Sequence, residues 1–518
     1  MNKKGTTFVL LLAVLFFFTT LQAQINSSLE RSVPEKEGVS SAAILQFIDA
    51  ANKSKTEFHS FMLLRHGKVI AEGWWDPYKP EFRHTLYSCS KSFTATAVGF
   101  AVQEKLLSLN DKVISFFPDK LPDTVSPNLA DLTIKDALMM SDGQEPDPSS
   151  NTRKYSDWVK SFLATPVKYD PGTTFLYNSL GTYMLSAIVQ KVTGQPILEY
   201  LKPRLFAPLG IKDMDWENDT KGINTGGWGL RLKTEDMAKF AQLFLQKGKW
   251  QGKQILPAAW IEEASTVKIM QDPKAPQSKK DSSDWLQGYG YQMWRCRNNA
   301  YRGDGAFGQY MIVMPDQDAA IAITAETLDM QDELNLVWKF LLPAFKNTAL
   351  PLDESNHAKL KATLQSLSLP AATKNNVVPA ENISGKQYVF APNDVHLKRI
   401  SFSFENEKCR VNLETDTANF LLSFGAAKWV ADTTSKPVPS LTAGAIENTA
   451  FLYPAKTMGS YTWKDNHSLY LWLRYIESPH SEKFTIHFNE NKLTIDIEKS
   501  FDFGSRKKTV TAEMGQGN

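Results

Sequence analysis

Histidine is scarce in this chain, and its placement is informative. Only eight occur in 518 residues: His59, His66, His84, His357, His396, His467, His480 and His487. None lies between positions 85 and 356. A hydrolase built on imidazole would have to recruit one of the three upstream histidines or reach into the C-terminal part of the chain. Cysteine is sparser still, with three. Cys89, Cys296 and Cys409 are too dispersed for a disulfide framework and leave room for at most one pair. Also lacking are a G-x-S-x-G elbow, an H-E-x-x-H zinc helix, clustered Cys/His ligands and a Gly-rich phosphate loop. Chemistry without cofactor or metal is therefore the expectation. Charge of one sign is missing too: 58 Lys and Arg against 56 Asp and Glu give a formal net charge of +2. With basic residues scattered, nucleic acid is not an expected partner.

A long apolar run occurs only at the N-terminus. Lys3 and Lys4, the stretch Phe8–Phe18 and Leu21-Gln22-Ala23 read as a signal peptide over residues 1–23. The stretch is short for a membrane span, is followed by polar Thr19, Thr20 and Gln22, and has no cysteine nearby for a lipid. The expectation is a periplasmic or secreted protein without stable membrane insertion after cleavage. Composition otherwise is that of a soluble globular chain, with 42% hydrophobic and 22% charged residues.

Residues 24–350 alternate strand-like and helix-like segments. Phe61–Arg65 and Lys68–Trp74 flank His66-Gly67 as a hairpin; Tyr310–Pro315 and Ala319–Thr324 read as two further strands. Helical patterns cover Ser88–Lys105, Thr173–Thr193, Lys233–Gln246 and Gln331–Phe345. Helices packed on an antiparallel sheet fit this order. Residues 351–382 read as a connecting helix, Asp353–Leu367, and a linker. From 383 to 518 short alternating strands such as Arg399–Phe404, His467–Tyr475 and Phe484–Phe488/Lys492–Ile497 predict a separate all-β domain, sandwich or small barrel. Its Trp463, Tyr470 and Trp472 are read as core.

Within this frame Ser88-Cys89-Ser90-Lys91 carries the chemistry. Serine and lysine three residues apart on a helix share a face, a spacing that suits a hydroxyl nucleophile and an amine. The same pattern at Ser265/Lys268 and Ser505/Lys508 lacks supporting context. Cys89 is out of helical phase with Lys91 and is read as packing. An ordinary lysine, near 10.4, is protonated at neutral pH; bringing it to about 7–8 takes roughly 3 units, about 4 kcal/mol, which burial can supply. Alternatively Lys91 stays charged and depresses a tyrosine. Tyr177, presented after the Pro171-Gly172 turn, is the candidate.

Ser88-Cys89-Ser90-Lys91, Tyr177-Asn178-Ser179 and Gly303-Asp304-Gly305 resemble, in order and spacing, the three motifs of serine β-lactamases and penicillin-binding proteins, in the class C-like branch that includes esterases and D-peptidases. The stretches Leu132–Gly143, Pro171–Gly194, Gly226–Phe244 and Tyr301–Thr324 look alike as well. The resemblance implies an α/β (α+β) β-lactamase/transpeptidase-like fold, an antiparallel sheet flanked by helices plus an all-helical lobe. It implies an acyl-enzyme on Ser88, with Lys91 and Tyr177 sharing proton transfer and Tyr177 serving as the base for deacylation. The oxyanion would rest on the backbone N–H groups of Ser88 and Ala306, and the substrate on Ser179, Gly303, Asp304 and Gly305. Two departures stand out. Ser179 occupies a position usually held by asparagine, and Gly303-Asp304 replaces a cationic residue that grips the substrate carboxylate. Arg302, one residue away on a strand, should point to the opposite face from Gly303. Asp304 could attract an amine or cap a turn.

The expected activity is therefore hydrolysis of ester, amide or peptide bonds in a small-molecule or peptide substrate, cell-wall-derived ones included, with weak or no β-lactamase activity. The alternatives are a D,D-peptidase trimming muropeptides and a non-hydrolytic, penicillin-binding-like sensor. Gly226 and Gly227 are read as a close backbone approach or turn, Trp74, Trp75, Trp228 and Trp285 as cleft lining or packing, His84 as structural, and Asp142-Gly143 as a loop turn.

Overall fold

Strand Glu57–Arg65 is buried along almost its whole length, which requires cover on both faces. In the computed structural model, which describes residues 28–148, 156–439, 454–502 and 504–515, that cover is helical. The segment read as a signal peptide lies outside the described residues. Six antiparallel strands run in the order Lys68–Trp74, Glu57–Arg65, Ala319–Glu326, Gln309–Met314, Tyr301–Gly305, Trp294–Arg295. Side-chain alternation sends Met62, Leu64, Met311, Val313, Ala320 and Ala322 into one core and Phe61, Leu63, Tyr310, Ile312, Ile321 and Ile323 into the other. The first core takes helices Ser90–Gln103, Ser179–Thr193 and Thr234–Leu245; the second takes Ser41–Lys53 and Met330–Leu336.

Helix Ser90–Gln103 is buried on every side from Ser90 to Ala101, the pattern of a central helix rather than an amphipathic one. Three predicted helices begin or end differently from the periodicity. The first is preceded by a 3₁₀ turn, Tyr87–Cys89, that holds Ser88. The second starts only at Ser179, because the Asn178 side chain accepts from the Gly181 N–H and caps it there. The last is α-helical only to Leu336 and continues as wider and tighter turns to Ala344, where Pro343 supplies no N–H.

The C-terminal strands close a barrel. Among the described residues nine strands form the ring, from Gln387–Phe390 to Lys507–Met514, all antiparallel except the closure, where Asn419–Ala426 pairs in parallel with Ala455–Asp465. Val430–Thr434 extends from the latter strand. Leu469, Leu471 and Leu473 point inward, so Tyr470 and Trp472, on alternate positions, lie on the outer face. They are not core, contrary to the sequence expectation; Trp463 does pack against the barrel core. The barrel is fastened to the first domain by ion pairs, Arg474 to Glu57 at 2.5 and 2.9 Å and Arg231 and Arg83 to Glu477 at 3.2 Å. No helix among the described residues is long and apolar enough to cross a membrane.

Candidate active site

Ser88 sits half-buried at the tip of the turn that opens the central helix. The preceding Tyr87 has φ +46°, a left-handed conformation that costs energy for a residue with a side chain. Ser90 holds the turn: its hydroxyl donates to Tyr87 O at 2.6 Å and accepts from the Leu230 N–H at 3.1 Å. One helical step on, Lys91 is 1% exposed, and its Nζ lies 3.2 Å from Ser88 Oγ, 3.0 Å from Ser179 Oγ and 2.6 Å from the carbonyl oxygen of Gly227. Burial pushes the Lys91 ammonium down to about 7, with Asp147 and Asp304 pulling the other way. A neutral amine has two N–H bonds and one lone pair. Gly227 O and Ser179 Oγ use the two donors, leaving the lone pair for the Ser88 proton.

Gly227 is small by necessity, since a Cβ there would stand 2.6 Å from Ser179 O and 3.3 Å from Lys91 Nζ. Its neighbour Gly226 adopts φ +64°. Tyr177 is 38% exposed and lies with its ring 4.9 Å from Lys91 Nζ. Desolvation pushes its phenol up and Ser88 pulls it back; solvent at the exposed edge softens the push. The direction is opposite to that of a depressed phenolate.

The third motif forms the edge of the cleft. On strand Tyr301–Gly305 a Cβ at Gly303 would meet Met311 at 2.6 Å and Ser92 Oγ at 3.1 Å, and one at Gly305 would meet Leu86 O at 2.2 Å and the Cys89 nitrogen at 3.3 Å. The Gly305 backbone thus presses closely on the Ser88 turn, and Ala306 follows at once in the chain. Arg302 and Asp304 share the other face. Asp304 Oδ2 accepts from Arg302 Nε at 2.9 Å and Nη2 at 2.7 Å. Asp304 therefore caps no turn; it lies within a strand and its charge is matched by a wholly buried guanidinium. Burial raises its carboxyl, with Arg302 opposing.

The opposite wall is aromatic. Tyr177 stacks on Trp294 at 5.7 Å, and Trp294 meets Phe175, Tyr289 and Trp285 edge-on. Trp294 was not singled out in the sequence, where nothing distinguishes it from other tryptophans. Of those that were, only Trp285 joins this wall. Trp75 and Trp228 are buried and donate to Asn52 and Glu217, and Trp74 packs on the first core. Asp142 is buried beneath the site and accepts from Asn178 Nδ2 at 2.8 Å, while Gly143 turns the loop at φ +73°. His84 contacts His59 at 3.2 Å within the interior. All three cysteines are free; Cys89 donates to Gln309 O, and burial drives its thiol well up. At the two decoy motifs, Lys268 pairs with Glu263 and Lys508 with Asp394.

A serine beside a desolvated lysine and a tyrosine, on a turn closely approached by glycines of the neighbouring strand, is an arrangement suited to a serine hydrolase. The chain belongs to the beta-lactamase family, whose model matches residues 48–342. It is 27% identical over 281 residues to 6-aminohexanoate-dimer hydrolase of Paenarthrobacter ureafaciens, covering 51% of this chain and 71% of that one. It is 31% identical over 144 residues to a protein of Escherichia coli O157:H7 provisionally named D-alanyl-D-alanine carboxypeptidase, a match that spans 24% of this chain and only 33% of that protein. Among solved structures, one provisionally described as a β-lactamase from Bacteroides dorei DSM 17855 superposes with a TM-score of 0.50 at 16% identity, over 59% of this chain and 99% of that one, which shows the shared fold.

Proposed function

We propose that the protein hydrolyses open-chain amides or esters through an acyl intermediate on Ser88. The observation that carries this reading is the placement of Lys91 Nζ, buried and 3.2 Å from Ser88 Oγ. Ser88 Oγ attacks the carbonyl carbon as its proton passes to the Lys91 amine. The oxyanion takes hydrogen bonds from the Ser88 and Ala306 N–H groups. The C–N or C–O bond then breaks, and the leaving amine or alcohol departs with that proton, relayed by Tyr177. Water attacks the acyl carbon as its proton passes through Tyr177 to the Lys91 amine; the acyl C–O bond to Ser88 then breaks, the acid leaves, and Lys91 returns the proton to Ser88 Oγ.

Substrate selection follows from the third motif. A side chain at Gly303 would have to displace the Met311 methyl, and Arg302 is held against Asp304, the Asp284 carbonyl and the Trp285 ring. Among the described residues the third motif thus supplies no free cation where a β-lactam carboxylate would be gripped, and the aromatic rings around Tyr177 suit an apolar acyl chain. Similarity to an enzyme named for hydrolysing the 6-aminohexanoate dimer supports a linear amide.

A panel of p-nitrophenyl esters, the 6-aminohexanoate dimer, D-Ala-terminated cell-wall peptides and a chromogenic cephalosporin tests this. Esters or the linear amide are expected to exceed the cephalosporin at least 100-fold in kcat/KM. Cephalosporin turnover equal to the best ester would contradict the reading, and preferential release of D-Ala would replace it with a muropeptide-trimming one. The proposal also places the protein in a periplasm or outside the cell, supported by the composition of Met1–Ala23. The mass of the protein exported by its native host should correspond to a chain starting at Gln24; an intact Met1 would count against it.

A further inference from the structure

The family match ends at residue 342, yet the turn between barrel strands Ser468–Tyr475 and Ser481–Asn489 is built into the active site. Ile476 packs in the second core of the first domain. The Glu477 carbonyl accepts from the Thr85 N–H at 2.9 Å, three residues before Ser88. His480, wholly buried, places Nε2 2.6 Å from the Tyr87 hydroxyl and Nδ1 2.7 Å from Glu326 Oε1. Its ring also meets Phe307 edge-on at 4.8 Å and stacks on Phe501 at 5.4 Å.

These contacts fall on two strained residues. Tyr87 (φ +46°) immediately precedes Ser88, and Phe307 (φ +66°) immediately follows Ala306. They are the neighbours of the two proposed oxyanion donors, and their rings touch each other at 5.4 Å. Strained backbone persists only where surrounding contacts over-determine it. Both ring nitrogens of His480 are engaged, Nδ1 with the Glu326 carboxyl and Nε2 with the Tyr87 hydroxyl. Burial keeps that phenol protonated and therefore a donor. Glu326 itself ends the central strand Ala319–Glu326, so the chain of contacts runs from the sheet through the barrel histidine to the nucleophile turn.

We propose that His480 is a positioning residue: through Tyr87 and Phe307 it holds the two backbone N–H groups of the oxyanion site at their working separation. The barrel is thus part of the catalytic apparatus rather than an appendage. This rests on the reading of Ser88 as the nucleophile. Misplacing catalytic groups by about 1 Å can cost on the order of 10²-fold in rate.

The test uses the full chain and measures kcat and KM for a p-nitrophenyl ester. His480→Ala and Tyr87→Phe are each expected to lower kcat by about 10–100-fold with KM within about threefold. The double variant should be no worse than the weaker single one, because both remove one link. His480→Gln, which carries an amide oxygen toward the Nε2 position, should recover part of kcat. Thermal unfolding and circular dichroism check the fold. Should His480→Ala fail to fold, Tyr87→Phe, which removes one oxygen only, carries the test. Wild-type kcat in folded Tyr87→Phe, or losses that multiply in the double variant, would overturn the proposal. Ser88→Ala run alongside separates the two readings: if it retains hydrolysis, the nucleophile assignment fails, whatever His480 does.

Discussion

Ser88→Ala is expected to lose hydrolysis of p-nitrophenyl esters by about 10⁴-fold or more, and to unfold within a degree or two of the wild type. The two residues that follow Ser88 in the chain cannot stand in for its hydroxyl. Cys89 is buried, donates to Gln309 O and has its thiol driven up by desolvation, so it supplies no thiolate. Ser90 is committed to Tyr87 O and the Leu230 N–H. Residual rate would come from the oxyanion donors and binding alone. Stability is spared because Ser88 is half-buried and Lys91 keeps Ser179 and Gly227 O as partners. Retained ester hydrolysis in a folded variant would remove Ser88 from the mechanism.

Lys91→Met should lower acylation by about 10²–10⁴-fold, the usual contribution of a general base. It should also remove a titration. Burial, the dominant influence, brings the Lys91 ammonium down to about 7, against the pull of Asp147 and Asp304. Below that pH the amine carries its proton and has no lone pair for Ser88. Wild-type kcat/KM is therefore expected to rise about tenfold per pH unit up to about 7 and to level off above it. In Lys91→Met the inflection near 7 should vanish. An inflection that persists in the variant would assign the base to another group.

Much of this site could be read from local spacing. Ser88 and Lys91 share a helical face by the geometry of the helix, and the Pro171-Gly172 turn (Gly172 at φ +84°) precedes Tyr177 where the sequence expects a turn. The hairpins around His66-Gly67 and Asn489-Glu490-Asn491 are equally local, and so were legible. What escaped the sequence depends on tertiary contact. Trp294 meets Tyr177 across more than a hundred residues, and neither its spacing nor its neighbours announce it. Asp304 reads as a free carboxylate until Arg302, two residues earlier on the same face, is seen to fold back over it. The scarcity of histidine posed whether an imidazole would reach in from the C-terminal part. One does, but to Tyr87 rather than to the nucleophile, and 393 residues separate the pair. Tyr470 and Trp472 show a different limit: aromatic content suggested core, whereas strand register alone decides which face a side chain takes.

The most direct test is to trap the acyl-enzyme and locate it. Wild-type protein and Ser88→Ala would be treated with a fluorophosphonate across pH 5–9, and the adduct mapped by peptide mass spectrometry. A single adduct on Ser88, forming faster as pH rises to about 7 and absent from the variant, is the predicted result. Modification at any other residue, or a rate that ignores pH over that range, would contradict a serine activated by a desolvated lysine.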